Sequence, residues 1–359
     1  MNPLRQVRAL GQQVWLDNLS RALLDDGRLA RFIAEDGIVG VTTNPAIFQK
    51  ALSDGRHYGD DLARLKQQAL SAEARYERLA IPDVQRACDL LRPLYERSHG
   101  EAGYVSLEVS PALAHDAEGT LAAGKRLHAE TGRPNLLVKV PATAAGLAAV
   151  ERLTGEGIGV NVTLLFSLAH VEATASAYLR GLERLRAAGG DPGRVMSVAS
   201  LFLSRLDTLV DARLEALGGD ALALRGQTAV ALARLAYRTY RDRFHGPAFA
   251  ALRAAGARPQ YMLWASTATK NPAYSDLLYV EPLIGPETIA TLPEATLAAL
   301  RDHGRVADTL SRDLEAARAL FHELAARGIL LDEIGESLQA DGLAQFERAF
   351  AQLLESTAD

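Results

Sequence analysis

Eight short apolar runs alternate with helical patterns along this chain, and that alternation limits the folds open to it more than any other feature. The runs cover residues 14–17, 38–41, 104–109, 135–143, 158–163, 195–200, 261–266 and 277–280. Short apolar runs bounded by turn residues read as buried strands. Strands that alternate with helices predict a parallel sheet with helical crossovers, and eight is the number that closes a (β/α)8 barrel. The alternative is a doubly wound open sheet. A Gly-rich phosphate turn after the first strand would favour it, but the chain reads Asp17-Asn18-Leu19-Ser20 there. The expectation is an α/β, TIM-barrel domain over residues 1–359, with additional helices from about 296 to 355 packing on the barrel. The helical stretch 46–98 should break near Gly55 and Pro82, and Thr143 could cap the helix that follows it. Gly189-Gly190-Asp191-Pro192-Gly193 reads as a loop, not a domain boundary.

Charge and composition exclude several classes. With 48% hydrophobic and 23% charged residues the chain is ordinary globular material. A net charge of -5 implies no broad basic surface, which argues against nucleic acid as the partner. The first eight residues carry no signal-peptide core, and no run of about 18 apolar residues appears, so no membrane contact is expected. The single Cys88 excludes an internal disulfide and suits a reducing compartment, so the expected location is the cytoplasm. With Val84, Ala87, Leu90 and Leu91 around it, Cys88 reads as helix packing.

The fourth run holds Lys139 between Val138 and Val140. Only five lysines occur among the 39 Lys and Arg residues. Arg stays protonated, whereas a buried Lys can lose its proton and attack a carbonyl. A strand-end Lys whose head reaches solvent is the plain alternative, and these residues alone leave both open. The other run ends are also polar: Asp17, Thr42 to Asn44, Glu108, Asn161 with Thr163, Ser200 and Ser266. Barrel chemistry gathers at the C-terminal ends of strands. Each has a bland reading as well. Asp17 could cap a helix, Asn44 could serve the turn before Pro45, Glu108 could be a structural partner of Lys139, and Thr163 could be strand packing. Together they offer one amine, two carboxylates and two amides. That set fits Schiff-base catalysis, in which a neutral Lys attacks a ketone, carboxylates shuttle protons and amides hold hydroxyls. The eight histidines are scattered without a His-Glu-x-x-His pattern, and there is no Walker A sequence or Gly-x-Ser-x-Gly elbow. Neither a metal nor a cofactor is expected.

Val41-Thr42-Thr43-Asn44-Pro45 and Leu137-Val138-Lys139-Val140-Pro141-Ala142-Thr143-Ala144-Ala145-Gly146-Leu147 closely resemble the two signature segments of transaldolases. Asn161-Val162-Thr163-Leu164-Leu165-Phe166-Ser167 is similar to a third family segment, and Asp17 and Glu108 add two more matches. The resemblance implies a class I aldolase-type barrel, a monomer or homodimer, acting on phosphorylated sugars. By that resemblance Lys139 would form the Schiff base and Asp17 would exchange the donor hydroxyl proton. Glu108, with Thr163 and a water, would relay protons. Asn44 and Asn161 would bind hydroxyls of the intermediate. Ser200-Leu201-Phe202-Leu203-Ser204-Arg205 resembles the family's Ser-x-Phe-x-x-Arg segment, so Ser200 and Phe202 would line the pocket and Arg205 would bind phosphate. Many members carry Arg shortly after the seventh strand. Here Ala265-Ser266-Thr267-Ala268-Thr269-Lys270 implies that Lys270 replaces it, with Ser266 assisting. The implied reaction moves a dihydroxyacetone unit from sedoheptulose 7-phosphate to glyceraldehyde 3-phosphate, in the non-oxidative pentose phosphate pathway. An aldolase releasing free dihydroxyacetone from fructose 6-phosphate and a non-catalytic sugar-phosphate-binding barrel are the alternatives.

Overall fold

A computed structural model describes residues 2–53 and 55–358. Eight parallel strands close into a barrel in chain order. They are β1 (Gln12–Leu16), β2 (Gly40–Val41), β3 (Tyr104–Glu108), β4 (Leu136–Pro141), β5 (Val160–Leu165), β6 (Ser197–Phe202), β7 (Tyr261–Ala265) and β8 (Thr288–Leu292). Nearly every strand residue is buried, as expected when helices cover the outer face and side chains fill the inner one. β1 closes on β8 over five residue pairs, from Gln12↔Thr288 to Leu16↔Leu292. The Gln12 amide fastens this seam, donating to Thr288 Oγ1 at 2.9 Å and to the Leu283 carbonyl at 2.6 Å.

Helix starts are set by short polar side chains just past the strand ends. Ser20, Asp116, Thr143 and Ser167 each accept a bond from the backbone N–H three residues on. Thr143 caps the helix Ala144–Gly155, as its sequence position suggested. The N-terminus of that helix lies so close to β4 that a Cβ on Gly146 would stand 2.0 Å from the Pro141 carbonyl oxygen.

Two expectations need correction. The eighth strand is not 277–280. That run forms successive turns, although Leu277, Tyr279 and Val280 are buried, and the Tyr279 hydroxyl anchors it by donating to Asp207 at 2.9 Å. The strand is Thr288–Leu292, whose mixture of Thr with Ile, Ala and Leu gives a weaker apolar signal. Nor does Pro82 break a helix: Ala72–Arg97 continues through both Pro82 and Pro93. Buried Leu79, Ile81, Val84, Leu91 and Leu94 dock it on the barrel, and this packing outweighs the backbone bonds the prolines remove.

After β8 come the helices Glu294–His303, Leu314–Ala326 and Leu331–Thr357. The last is 27 residues long and lies across the C-terminal mouth of the barrel. At its far end the Thr357 carbonyl accepts from Arg75 at 3.1 Å, and Phe350 meets Tyr76 edge-on at 5.7 Å. No helix among the described residues is long and apolar enough to cross a membrane.

β2 has only two residues, and its approach to β1 depends on Gly40. A Cβ there would fall 2.4 Å from the Trp15 indole, which is fully buried and donates to Gln13 Oε1 at 3.0 Å. Gly40→Ala is expected to destabilise the protein by about 1–3 kcal/mol through overpacking, measured by urea unfolding. An unchanged unfolding midpoint would contradict this tight approach.

Candidate active site

Strand register creates the centre of the site. Glu108 on β3 is level with Lys139 on β4, and Lys139 is level with Asn161 on β5. Side chains alternate between the two faces of a strand, so this row points into the barrel with Ser106 and Thr163. Lys139 Nζ lies 3.1 Å from Glu108 Oε2, with both side chains only 5–6% exposed. The same ammonium donates to the Thr43 carbonyl at 2.8 Å, and the Phe346 ring covers it with its centroid 5.7 Å away. Lys139 is therefore nearly buried, not a strand-end cation with its head in bulk solvent.

Beneath the lysine, hydrogen bonds cross the barrel. The Asn161 amide donates to Ser106 Oγ at 2.9 Å, and its oxygen accepts from Ser200 Oγ at 2.7 Å. Asn161 is fully buried and sits behind the cavity wall. Its amide thus has two protein partners already, which the sequence did not reveal.

A cavity of about 110 Å3 opens above this row. Asp17, Asn44, Lys139, Thr163, Ser200, Phe202, Arg205 and Ser266 all line it, as do Thr42, Thr291 and Phe346. Asp17 is not a helix cap; Ser20 has that task. Asp17 instead accepts from Thr42 Oγ1 at 2.9 Å, and that hydroxyl meets Thr291 Oγ1 at 2.6 Å. Asn44 uses its oxygen to accept from the Ile47 N–H at 3.0 Å, so its turn-forming role is real. Its NH2 group can still serve the cavity. Thr163 Oγ1 is buried and has no hydrogen-bond partner among the described residues.

Two carboxylates thus flank one ammonium. Burial pushes the Asp17 carboxyl above its ordinary range, against the charge of Lys139, the Thr42 hydroxyl and the more distant charge of Lys270. Glu108 is also raised, first by burial. Lys139 opposes that shift by charge and hydrogen bonding, and Asp17 adds repulsion.

The opposite wall is cationic. Arg205 packs over the Phe202 ring at 5.6 Å, and its buried Nη1 has no partner among the described residues. Burial lowers the guanidinium pKa, but Arg remains charged in proteins. Arg205 is the second residue of the helix Ser204–Leu217, which begins without a side-chain cap. Ser204 Oγ and Ser266 Oγ are 2.8 Å apart, and Ser266 has a left-handed backbone with φ 54°. The Ser204 and Leu206 N–H groups already donate to the Ser266 and Leu203 carbonyls, so an anion here would be drawn chiefly by the unshared guanidinium and the positive end of the helix. Lys270 is not in this wall. It is exposed and lines a separate hollow with Asp207, Asp211, Tyr274 and Tyr279. Burial pushes the Asp207 carboxyl there up to about 6.

Thr42 is among the polar strand ends of the sequence, but Thr291 and Phe346 are not singled out there. Thr291 would have followed from a correct eighth strand. Phe346 arrives from a helix more than 200 residues from Lys139, and no local pattern announces that contact.

A buried lysine with two carboxylates and an unshared guanidinium at the mouth of a (β/α)8 barrel defines an aldolase-type barrel protein. Residues 14–357 match the model of the Transaldolase/Fructose-6-phosphate aldolase family, and the chain belongs to that family. It is 57% identical over 355 residues to a protein named transaldolase from Thiobacillus denitrificans, covering 99% of each chain. It is 49% identical over 354 residues to a transaldolase of Neisseria gonorrhoeae, again covering 99% of each. A transaldolase of Mycolicibacterium smegmatis is 47% identical over 359 residues, covering 99% of this chain and 97% of the relative.

The raised Asp17 pKa carries a stability consequence. The folded state holds this proton more tightly than the unfolded chain, so stability falls as pH rises from the unfolded pKa through the folded one. The cost grows as pH rises above the unfolded pKa. Asp17→Asn is expected to raise the Tm at pH 7, with no gain near pH 3, where the carboxyl is protonated in both states. Calorimetry at the two pH values checks this; equal losses at both would contradict it.

Proposed function

We propose that the protein catalyses the transaldolase reaction, moving a dihydroxyacetone unit reversibly from sedoheptulose 7-phosphate to glyceraldehyde 3-phosphate. The products are erythrose 4-phosphate and fructose 6-phosphate. The observation that carries this reading is Lys139, sealed under Phe346, 3.1 Å from Glu108 and sharing a cavity with Asp17. The names of its full-length relatives support it.

In this reading Lys139 passes a proton to Glu108, and the neutral amine attacks C2 of the donor ketose. Protonated Glu108 supplies a proton to the departing hydroxyl, with Thr163 hydrogen-bonding the water released. Its raised pKa suits that acid role. Asp17 then takes the proton from the C4 hydroxyl as the C3–C4 bond breaks. The aldehyde leaves, and the three carbons remain on Lys139 as an enamine. The acceptor aldehyde enters and the steps run in reverse, with Asp17 returning its proton to the new C4 hydroxyl. Asn44 and Ser200 orient hydroxyls of the intermediate, while Asn161 holds Ser200 from below. Phe202 forms the apolar wall under the phosphate-binding Arg205. Asp17→Asn should lower kcat by about 10²–10⁴-fold, the usual worth of a positioned proton-transfer group.

Phosphate binding rests mainly on Arg205 at the positive end of its helix, with the charge of Lys270 felt from its separate hollow. Arg205→Ala is expected to raise KM for fructose 6-phosphate more than Lys270→Ala, with little effect of either on an unphosphorylated ketose. An equal or larger effect of Lys270→Ala would reverse this ranking.

The family description also names fructose-6-phosphate aldolase, so release of free dihydroxyacetone is the second reading. Product formation with and without an aldehyde acceptor separates them. Transfer requires sustained turnover only with acceptor; turnover indifferent to acceptor would sink the transaldolase reading. We place the reaction in the cytoplasm, a location supported by the single, buried Cys88.

A further inference from the structure

The C-terminal helix Leu331–Thr357 meets the barrel mouth along one stripe: Gly335, Gln339, Gly342 and Phe346. A Cβ on Gly335 would stand 2.7 Å from Ser167 Cβ. One on Gly342 would stand 3.1 Å from Leu164 Cδ2 and 3.4 Å from Arg205 Nη1. The small residues let the helix press directly on the end of β5.

Between them Gln339 is 9% exposed. Its side-chain NH2 donates to the Leu164 carbonyl at 3.0 Å and to the Ala142 carbonyl at 3.2 Å. Both amide hydrogens are thus used. The two acceptors belong to the strands that carry the chemistry. Ala142 follows β4, three residues after Lys139, and Leu164 follows Thr163 in β5. Leu164 has a left-handed backbone with φ 62°, unusual for a branched apolar residue, at the point where the β5–β6 register shifts. The Thr163 hydroxyl next to this irregularity is buried, has no partner among the described residues and lines the cavity with Lys139.

We propose that Gln339 is a positioning residue. By gripping both carbonyls it holds the irregular turn of β5 against the end of β4 and so fixes Thr163 relative to Lys139. It touches no substrate, and its effect reaches the reaction through Thr163. This rests on the Schiff-base reading above. It assigns to the C-terminal helix a share in Schiff-base formation beyond covering the cavity.

The test is single-turnover borohydride trapping of fructose 6-phosphate on the full-length protein. Gln339→Met keeps the side chain's length and removes both donors. It should slow trapping about tenfold, a part of what a positioned proton-transfer group contributes, with KM nearly unchanged. In combination with Thr163→Val it should add little to the loss caused by Thr163→Val alone, because both act through one hydroxyl. Leu353→Val loosens the same helix away from the site and should lower Tm without slowing trapping. Gln339→Leu removes the same two donors with an apolar side chain that leaves the Arg205 side of the helix unchanged. It gives the same test if Gln339→Met does not fold, and should slow trapping without adding to Thr163→Val. Fully additive losses, unchanged trapping, or an equal slowing by Leu353→Val at matched Tm would overturn the proposal. Absence of any wild-type adduct would instead remove the Schiff-base reading on which it stands.

Discussion

The ion pair between Lys139 and Glu108 is the constraint on which the rest of the site depends. Two charges withdrawn from water cost several kcal/mol each before their attraction returns any of it. The barrel tolerates the pair because closure puts β3, β4 and β5 level with one another. Glu108 is thereby set 3.1 Å from Lys139, and the Thr43 carbonyl takes a further lysine hydrogen bond. Asp17 adds a second carboxylate near the same lysine; burial opposes ionisation of each acid, and the charge of Asp17 further opposes that of Glu108. A chain selected for stability alone would have little use for this arrangement. A chain that must move protons around a covalent amine intermediate needs acids and bases held close to a shielded lysine.

The mouth of the barrel shows a similar exchange of backbone ease for geometry. Leu164 and Ser266, two of the five non-glycine residues with positive φ among the described residues, stand beside Thr163 and the Arg205 helix. Such conformations cost about 1–3 kcal/mol each and persist where surrounding structure enforces them. At Leu164 the Gln339 amide and the glycines of the last helix supply that enforcement. At Ser266 the neighbouring Ser204 hydroxyl and the paired strands β6 and β7 do so. Sequence-distant elements therefore set the cavity's shape, while the strands carry its reactive groups.

That division explains what could be read in advance. The alternation of apolar runs with helices was enough for the barrel, because parallel strands buried on both faces are written as contiguous apolar runs. Glu108 and Lys139 stood out since charged residues inside such runs have few bland explanations. Asp17 was harder: a carboxylate after a strand looks like a helix cap, and only the structure shows Ser20 in that role. The eighth strand was misread because 277–280 is more apolar than Thr288–Leu292, and burial in turns leaves the same composition as burial in a strand. Helix packing carried Ala72–Arg97 through Pro82, a tertiary effect with no local sign. Phe346 over Lys139, the Gln339 clamp and the separation of Lys270 from the cavity depend on long-range packing. They could not be seen from spacing.

The central claim is that one lysine of five is the nucleophile, and mapping the covalent adduct addresses it most directly. After reduction with borohydride in the presence of fructose 6-phosphate, peptide mass spectrometry should find the added mass on Lys139 alone. Lys50, Lys66, Lys125 and Lys270 should remain unmodified, and Lys139→Ala should yield no adduct. An adduct on any other lysine, or none during turnover, would contradict the account.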